Sequence, residues 1–161
     1  MTGKEEKVTV IETTIDDMNP EIYSYLLDKL IKDGALDAYA IPVYMKKNRP
    51  ANLLCVICHE EKLEKLLETV FGETTTLGVR IREEKRRVLC RSFETVKTPW
   101  GEVKVKTGYD GEDKNEILQI APEYEECRSI SEKYGIPLKK VYTAALLAFE
   151  ELQREKNAPF R

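Results

Sequence analysis

The order of apolar patterns along the chain constrains its fold more than any other feature. Apolar residues either alternate, as in β-strands, or recur every three to four positions, as on one face of a helix. The segments are strand, helix, strand, strand, helix and strand, over residues 8–15, 20–33, 36–45, 52–58, 60–71 and 79–98. This is the order of the split β-α-β, or ferredoxin-like, arrangement. We therefore predict an α+β fold with a ferredoxin-like βαββαβ core.

Residues that start and end helices support this order. Asn19 suits the N-cap of the first helix, Pro20 its first position and Gly34 the position after its end. Pro42 lies within the second strand and lacks a backbone N–H, so that strand is predicted to be an edge strand or a bulged one. The predicted apolar face of the first helix consists of Ile22, Tyr25, Leu26, Leu30 and Ile31.

The rest of the chain adds a β-hairpin and C-terminal helices to this core. Residues 79–98 are extended and basic, a turn follows at residues 99–102, and Lys104 and Lys106 fall on one face of the next strand. The remaining predictions are a loop at residues 110–115, helices at 122–134 and 137–155, and a frayed end at 156–161. Because there is no internal repeat or low-complexity tract, residues 1–161 are predicted to form a single domain.

Composition argues against several functional classes. The formal net charge is −3 and no apolar run approaches the roughly 20 residues that span a bilayer, so neither nucleic-acid nor membrane binding is expected. The N-terminus has no apolar segment typical of a signal peptide, and the 4 cysteines are too few for a disulfide scaffold. A cytoplasmic protein is therefore predicted.

A Cys-x-x-Cys-His pattern at residues 55–59 matches the attachment site of c-type haem. It lies in a run of strand-forming residues, whereas haem attachment needs both thiols on an accessible turn or helix. Zinc binding would need a second pair of ligands, and Cys90 and Cys127 lack the paired spacing. We therefore interpret the two cysteines as small apolar residues of a buried strand.

The best candidate site is the acidic turn between the first strand and the first helix. Asp16 and Asp17 follow the strand directly and precede a helix start, where backbone N–H groups and the helix dipole favour an anion. Two adjacent carboxylates can hold a Mg²⁺ or Mn²⁺ ion that carries a phosphate group. In the alternative interpretation, one carboxylate helps to cap the helix and the other is solvated.

Clusters of basic residues in a chain of negative total charge suggest local polyphosphate binding. Such clusters are also common on solvated faces, and spacing alone does not show whether they converge. The candidate contacts are Lys46, Lys47 and Arg49 in one loop, Thr75, Gly78 and Arg80 around another, and Lys104 and Lys106 on the hairpin.

A set of sequence blocks extends in order over nearly the whole chain. They are E-T-T-I-D-D-M-N-P-E at residues 12–21, G-A-L-D at 34–37, M-K-K-N-R-P at 45–50, E-T-T-T-L-G-V-R at 73–80, T-P-W-G-E-V-K-V-K at 98–106 and P-E-Y-E-E-C at 122–127. Together they resemble the C-terminal domain of the LarC family, nickel-insertion proteins that complete the nickel-pincer cofactor of lactate racemase. The chain departs from the family pattern at Asn48 and Ala51, where that pattern favours glycine.

The resemblance implies a CTP-dependent cyclometallase, of the lyase or chelatase class, that inserts nickel into pyridinium-3,5-bisthiocarboxylic acid mononucleotide. The implied cofactors are CTP with Mg²⁺ or Mn²⁺, and nickel is the inserted metal. The implied partners are the precursor nucleotide, the N-terminal domain of the full-length protein and further copies of the chain. Because full-length members are longer, the N-terminal domain is expected to be absent here and to be needed for nickel insertion.

From the residues and the resemblance together, we predict that Asp16 and Asp17 hold the divalent cation. The basic residues named above neutralise the triphosphate, and Thr75 and Gly78 let the backbone approach the nucleotide. No catalytic residue is predicted. The alternative function is a non-catalytic ferredoxin-like module that binds a small ligand or assembles subunits.

Overall fold

In the computed structural model, residues 3–111 and 116–157 are described, and they divide into two compact units. The N-terminal unit is Glu5–Arg86, and the C-terminal unit contains the described residues from Arg87 onward together with residues 3 and 4. Most of the predicted loop at residues 110–115 and of the predicted frayed end lies outside the described residues. That residues 1–161 form one domain stays a prediction.

The N-terminal unit is built around a four-stranded sheet in the order β2-β3-β1-β4. Its elements are β1 (Lys4–Ile15), α1 (Ile22–Lys32), β2 (Asp37–Met45), β3 (Arg49–Cys58), α2 (Leu63–Glu73) and β4 (Arg80–Val88). Strand β3 is antiparallel to both neighbours, with Thr9 opposite Cys58 and Ala38 opposite Val56. The predicted α+β class is confirmed, and this element and strand order is compatible with the predicted ferredoxin-like core. Strand β2, which contains Pro42, is an edge strand as predicted.

Both helices of this unit pack on one face of the sheet. The buried cluster contains Leu26 and Leu30 of α1, Leu66 and Val70 of α2, and Ile11, Leu54 and Val56 of the strands. The face of α1 differs from the prediction, because Tyr25 and Ile31 are 55% and 48% exposed, whereas Tyr23 is buried. The helix is rotated so that Leu26 and Leu30 are central, and this places Tyr25 and Ile31 at the edges of the apolar face.

The C-terminal unit is a three-stranded antiparallel sheet, in the order β5-β6-β7, with two helices. Its elements are β5 (Cys90–Thr98), β6 (Gly101–Tyr109), β7 (Ile117–Pro122), α3 (Tyr124–Tyr134) and α4 (Leu138–Asn157). The predicted hairpin is confirmed, with Thr98 opposite Gly101. Strand β7 was not predicted, and α3 begins at Tyr124 because Pro122 ends this strand instead of starting the helix. The core contains Val96, Val103, Val105, Cys127, Val141 and Phe149.

No helix within the described residues is long and apolar enough to cross a membrane.

Candidate functional site

The acidic turn lies between β1 and α1 in the N-terminal unit. The N–H of Ile22 donates to the carbonyl of Asn19 at 3.1 Å, and the side-chain oxygen of Asn19 accepts from the N–H of Glu21 at 3.1 Å. Asn19 therefore organises the helix start, although α1 begins at Ile22, two positions after Pro20. Neither Asp16 nor Asp17 makes a capping bond to the start of α1 within the described residues, so both carboxylates are directed to other partners.

Asp16 pairs with the basic loop that joins β2 to β3. Its Oδ2 atom lies 3.1 Å from Nη1 of Arg49, and the Asp16 side chain is 21% exposed. Lys46 and Lys47 precede Arg49, are exposed, and have no ion pair or hydrogen-bonded side-chain partner among the described residues. Lys47 and Asn48 have φ angles of 61° and 57°, in the left-handed region that non-glycine residues rarely adopt. The loop therefore presents two unpaired ammonium groups next to an ion-paired guanidinium.

Asp17 pairs with the loop that follows α2. The hydroxyl of Thr75 donates to Oδ1 of Asp17. The same loop is fixed to β1, because the Thr13 hydroxyl lies 2.5 Å from that of Thr76 and donates to the carbonyl of Gly78 at 3.0 Å. A Cβ atom at Gly78 would meet nothing within 4 Å. The β2–β3 loop and the loop after α2 thus each contact one carboxylate of the acidic turn.

Arg80 is paired with Glu12, an acidic residue of β1 that is not among the site residues predicted from the sequence. Its Nε atom lies 3.7 Å from Oε2 of Glu12, and Nη1 of Arg82 lies 2.7 Å from the same oxygen. Glu12 is 16% exposed, and the hydrogen bond from Arg82 holds the pKa of its carboxyl below the usual 4.5 despite the opposing effect of burial. Two features of the sequence could have indicated this pairing: the alternation of apolar and polar residues along β1, and the several arginines on β4.

A buried hydroxyl lies on the first turn of α1. Tyr23 is 8% exposed, and its hydroxyl makes no hydrogen bond within the described residues. Burial raises the pKa of Tyr23, and the negative charge of Asp17 raises it further. The neighbouring Asn52 side chain lowers the pKa, although it does not form a hydrogen bond with the Tyr23 hydroxyl. A buried hydroxyl without a partner is uncommon, and here it adds a donor close to the acidic turn.

The side chains of the turn suit a hard cation only if a ligand supplies further oxygens. Among residues 3–111 and 116–157, no group of three or more histidine, cysteine or acidic side chains is arranged to hold a metal ion. Mg²⁺ is commonly bound by one or two carboxylates together with substrate phosphates and water. Asp16 and Asp17 fit that donor set, and they do not fit a closed site for a soft metal.

Comparison with known proteins identifies the family. Residues 1–142 match the family model described as "Nickel insertion protein". The chain belongs to the nickel insertion protein family.

Two relatives and one solved structure illustrate the similarity. The chain is 44% identical over 157 residues to a pyridinium-3,5-bisthiocarboxylic acid mononucleotide nickel insertion protein of Acetivibrio thermocellus, and 39% identical over 151 residues to one of Thermotoga petrophila. These alignments cover 96% and 94% of this chain but 37% of each relative, so the chain spans little more than a third of their length.

The structural comparison is with the apo form of the C-terminal domain of a cyclometallase involved in the synthesis of the NPN cofactor of lactate racemase. The match has a TM-score of 0.83 and 35% identity, and it covers 91% of this chain and 99% of that domain. The resemblance to the C-terminal domain of the LarC family is thereby confirmed.

The remaining sequence candidates belong to other elements of the chain. Lys104 and Lys106 belong to the C-terminal unit, where their Nζ atoms lie 3.6 Å from Glu126 and 3.7 Å from Glu123. Cys55 and Cys58 are buried in β3 with free thiols. Burial raises the pKa of both thiols, which agrees with the interpretation of the haem-like pattern as part of a buried strand.

Proposed function

We propose that this chain is the metal-dependent CTP-binding domain of a nickel insertion protein that acts on pyridinium-3,5-bisthiocarboxylic acid mononucleotide. The observation that carries the proposal is the contact of two loops with the acidic turn, where Asp16 pairs with Arg49 and Asp17 with Thr75. The family and the names of the relatives support the substrate. Nickel is the inserted metal in this proposal and is not a resident ligand of the acidic turn.

Asp16 and Asp17 supply carboxylate oxygens for Mg²⁺ or Mn²⁺. When bound, such an ion neutralises and orients phosphate oxygens. Arg49 forms an ion pair with Asp16. A planar guanidinium binds phosphate oxygens as well as it binds a carboxylate, so Arg49 can leave Asp16 and bind the phosphate. Exchange of partners at Arg49 would leave Asp16 available to the cation.

The neighbouring loops contribute charge and close approach. Lys46 and Lys47 are exposed and lack partners in the described chain, so they can neutralise a polyphosphate without first breaking an ion pair. Arg80 adds a third charge whose position is set by Glu12. The open space where a Gly78 side chain would lie allows a ligand to approach the backbone there. Contacts of Lys104 and Lys106 with the triphosphate stay predictions.

Calorimetric titration of CTP in the presence of Mn²⁺ tests these roles. Asp16→Asn is expected to abolish the effect of Mn²⁺ on affinity, and Lys47→Ala to weaken binding about tenfold through the loss of one charge-assisted contact. Lys32→Ala is the matched control, because Lys32 is an exposed lysine at the end of α1 in the same unit. Unchanged affinity in both Asp16→Asn and Lys47→Ala would remove the assignment.

Selectivity and metal dependence can be measured together by thermal shift with each of the four nucleoside triphosphates. A rise with CTP that requires Mn²⁺ is expected. Because the relatives are much longer, the chain on its own is expected to bind CTP without inserting nickel into the precursor, and the N-terminal domain of the full-length protein is the proposed partner for that step. A nucleotide-independent melting temperature would contradict the CTP proposal.

The alternative, a module that assembles subunits, is favoured by one observation. The edge strand β2 exposes Tyr39, Ile41 and Tyr44, and Tyr44 is 77% exposed. Exposed apolar side chains on an edge strand are typical of protein contact surfaces. Sedimentation should then show a homo-oligomer that Tyr44→Lys dissociates, whereas Tyr134→Lys, which changes an exposed tyrosine of the C-terminal unit, leaves it intact.

A further inference from the structure

The sheet of the C-terminal unit has one face covered by helices and one that is not. Val96, Val103 and Val105 point into the core with α3 and α4. Because side chains alternate along a strand, Arg91, Lys106 and Gly108 lie on the other face, as is common in antiparallel sheets. That open face contains a cavity of about 250 Å³.

The floor of this cavity is apolar and is formed around a glycine. Gly108 lies opposite Arg91 on one side and Gln119 on the other, in a single row across three strands. A Cβ atom at Gly108 would come within 3.2 Å of Leu89 Cδ1 and 3.3 Å of Gln119 Cβ. Val88, Leu89 and Ala121 supply the apolar lining. The absence of a side chain at Gly108 therefore lets Leu89 and Gln119 pack close to this strand, where all three residues line the cavity.

The polar groups at the cavity are cationic or neutral. Arg91 is exposed and makes no ion pair or hydrogen bond through its side chain among the described residues. Lys106 is only loosely paired, at 3.7 Å from Glu123, and a partly exposed pair of this kind contributes little stability. Gln119 provides an amide that can donate and accept. Two cations beside an apolar floor favour a ligand that combines an apolar part with negative charge.

The size of the cavity limits the ligand further. Small-molecule sites usually measure roughly 300–1,000 Å³. A cavity of about 250 Å³ is slightly smaller than this range, so it holds one ring with its substituents and not a complete dinucleotide. The substrate named for the relatives is a pyridinium ring with two acid groups, at positions 3 and 5, on a mononucleotide.

We propose that this cavity binds the pyridinium ring of the precursor nucleotide, with Arg91 and Lys106 facing its two thiocarboxylate groups. This inference rests on the proposed function, since it assigns the second substrate of the same reaction to a site in the C-terminal unit. This inference assigns Lys106 to the ring ligand in place of the contact with the triphosphate predicted from the sequence. Leu89 and Ala121 contact the ring.

Pyridine-3,5-dicarboxylate is the probe, and the uncharged pyridine-3,5-dicarboxamide is its matched control. Nuclear magnetic resonance titration of the 161-residue chain should show saturable shifts at Gly108, Gln119 and Ala121 with the dicarboxylate and much weaker binding of the diamide. Arg91→Gln is expected to weaken dicarboxylate binding about tenfold, the loss of one charge-assisted contact. Lys97→Gln removes an exposed cation from the same strand outside the cavity and should leave the affinity unchanged.

Calorimetry with CTP and Mn²⁺ on the same variants separates this inference from the proposed function. Arg91→Gln should leave CTP affinity unchanged. The assignment of the cavity is overturned if neither Arg91→Gln nor Lys106→Gln weakens dicarboxylate binding, or if the resonance shifts occur only at other residues. Neither result would contradict the proposal that the chain binds CTP. Binding of the dicarboxylate by a chain that does not bind CTP would instead overturn the proposed function alone.

Discussion

Two adjacent residues of α1 provide a sharp test of how the N-terminal unit is stabilised. Leu30 and Ile31 both belong to the apolar pattern of the helix, but Leu30 is fully buried whereas Ile31 is 48% exposed. Leu30→Ala removes buried methyl groups from a cluster that includes Leu66 and Val70, and is expected to cost about 3 kcal/mol, within the usual range of about 2–5. At roughly 2–4 °C per kcal/mol for a chain of this size, the melting temperature should fall by about 10 °C.

Ile31→Ala is the matched control. It removes a similar number of atoms from the next position, but about half of that surface is already in water, and alanine is the better helix former. A loss below about 1 kcal/mol is expected. Urea unfolding of both variants, followed by far-ultraviolet circular dichroism, measures the difference. Equal losses in the two variants would refute the orientation of α1 on the sheet.

Three further predictions concern charge, backbone and thiols. Because the pKa of Glu12 is lowered in the folded state, its stabilising effect is complete above pH 4.5 and is lost as the pH falls through the folded value, so wild type and Glu12→Gln should differ at pH 7 and converge in acid. Glu84→Gln removes the more exposed partner of Arg82 and should change stability less than Glu12→Gln does. Urea unfolding midpoints of the three proteins, at pH 7 and in acid, measure these differences. Gly135 has a left-handed φ of 64°, and a Cβ atom there would meet no other atom, so the only cost of a side chain is backbone strain. Gly135→Ala should therefore lower the free energy of unfolding by about 1 kcal/mol, and Gly135→Asn by less, because asparagine tolerates this conformation better. At pH 8 a thiol reagent should label Cys90 in the folded chain and reach the three buried cysteines only on unfolding: Cys55, Cys58 and Cys127.

The sequence was sufficient to predict the features that depend on local patterns. The period of the apolar residues predicted the ferredoxin-like order, and Pro42 predicted an edge strand because it lacks a donor. The rotation of α1 about its axis was harder to predict from the sequence. The predicted apolar face, which includes Tyr25 and Ile31, differs from the observed buried face by only a fraction of a helical turn. Strand β7 was missed because it is short and lies at a sheet edge with largely exposed residues, so its apolar pattern is weak.

The candidate site depends on contacts between distant segments. Asp16 and Asp17 were recognisable from their position before a helix, but spacing does not show that Arg49 lies against one and Thr75 against the other. Glu12 was missed for a related reason. Its importance comes from Arg80 and Arg82 on β4, which lies beside β1 in the sheet although it is distant in sequence.

The ion pair between Asp16 and Arg49 sets the order in which ligands can be captured at the proposed CTP site. Each charge already satisfies the other, so a free cation must compete with a guanidinium and a free triphosphate must compete with a carboxylate. A preformed metal–nucleotide complex avoids both costs. Its cation binds Asp16 while its phosphate oxygens bind Arg49, so each charge of the broken ion pair gains a new partner. Binding there would be synergistic, with the metal and the nucleotide each raising the affinity for the other by the same factor.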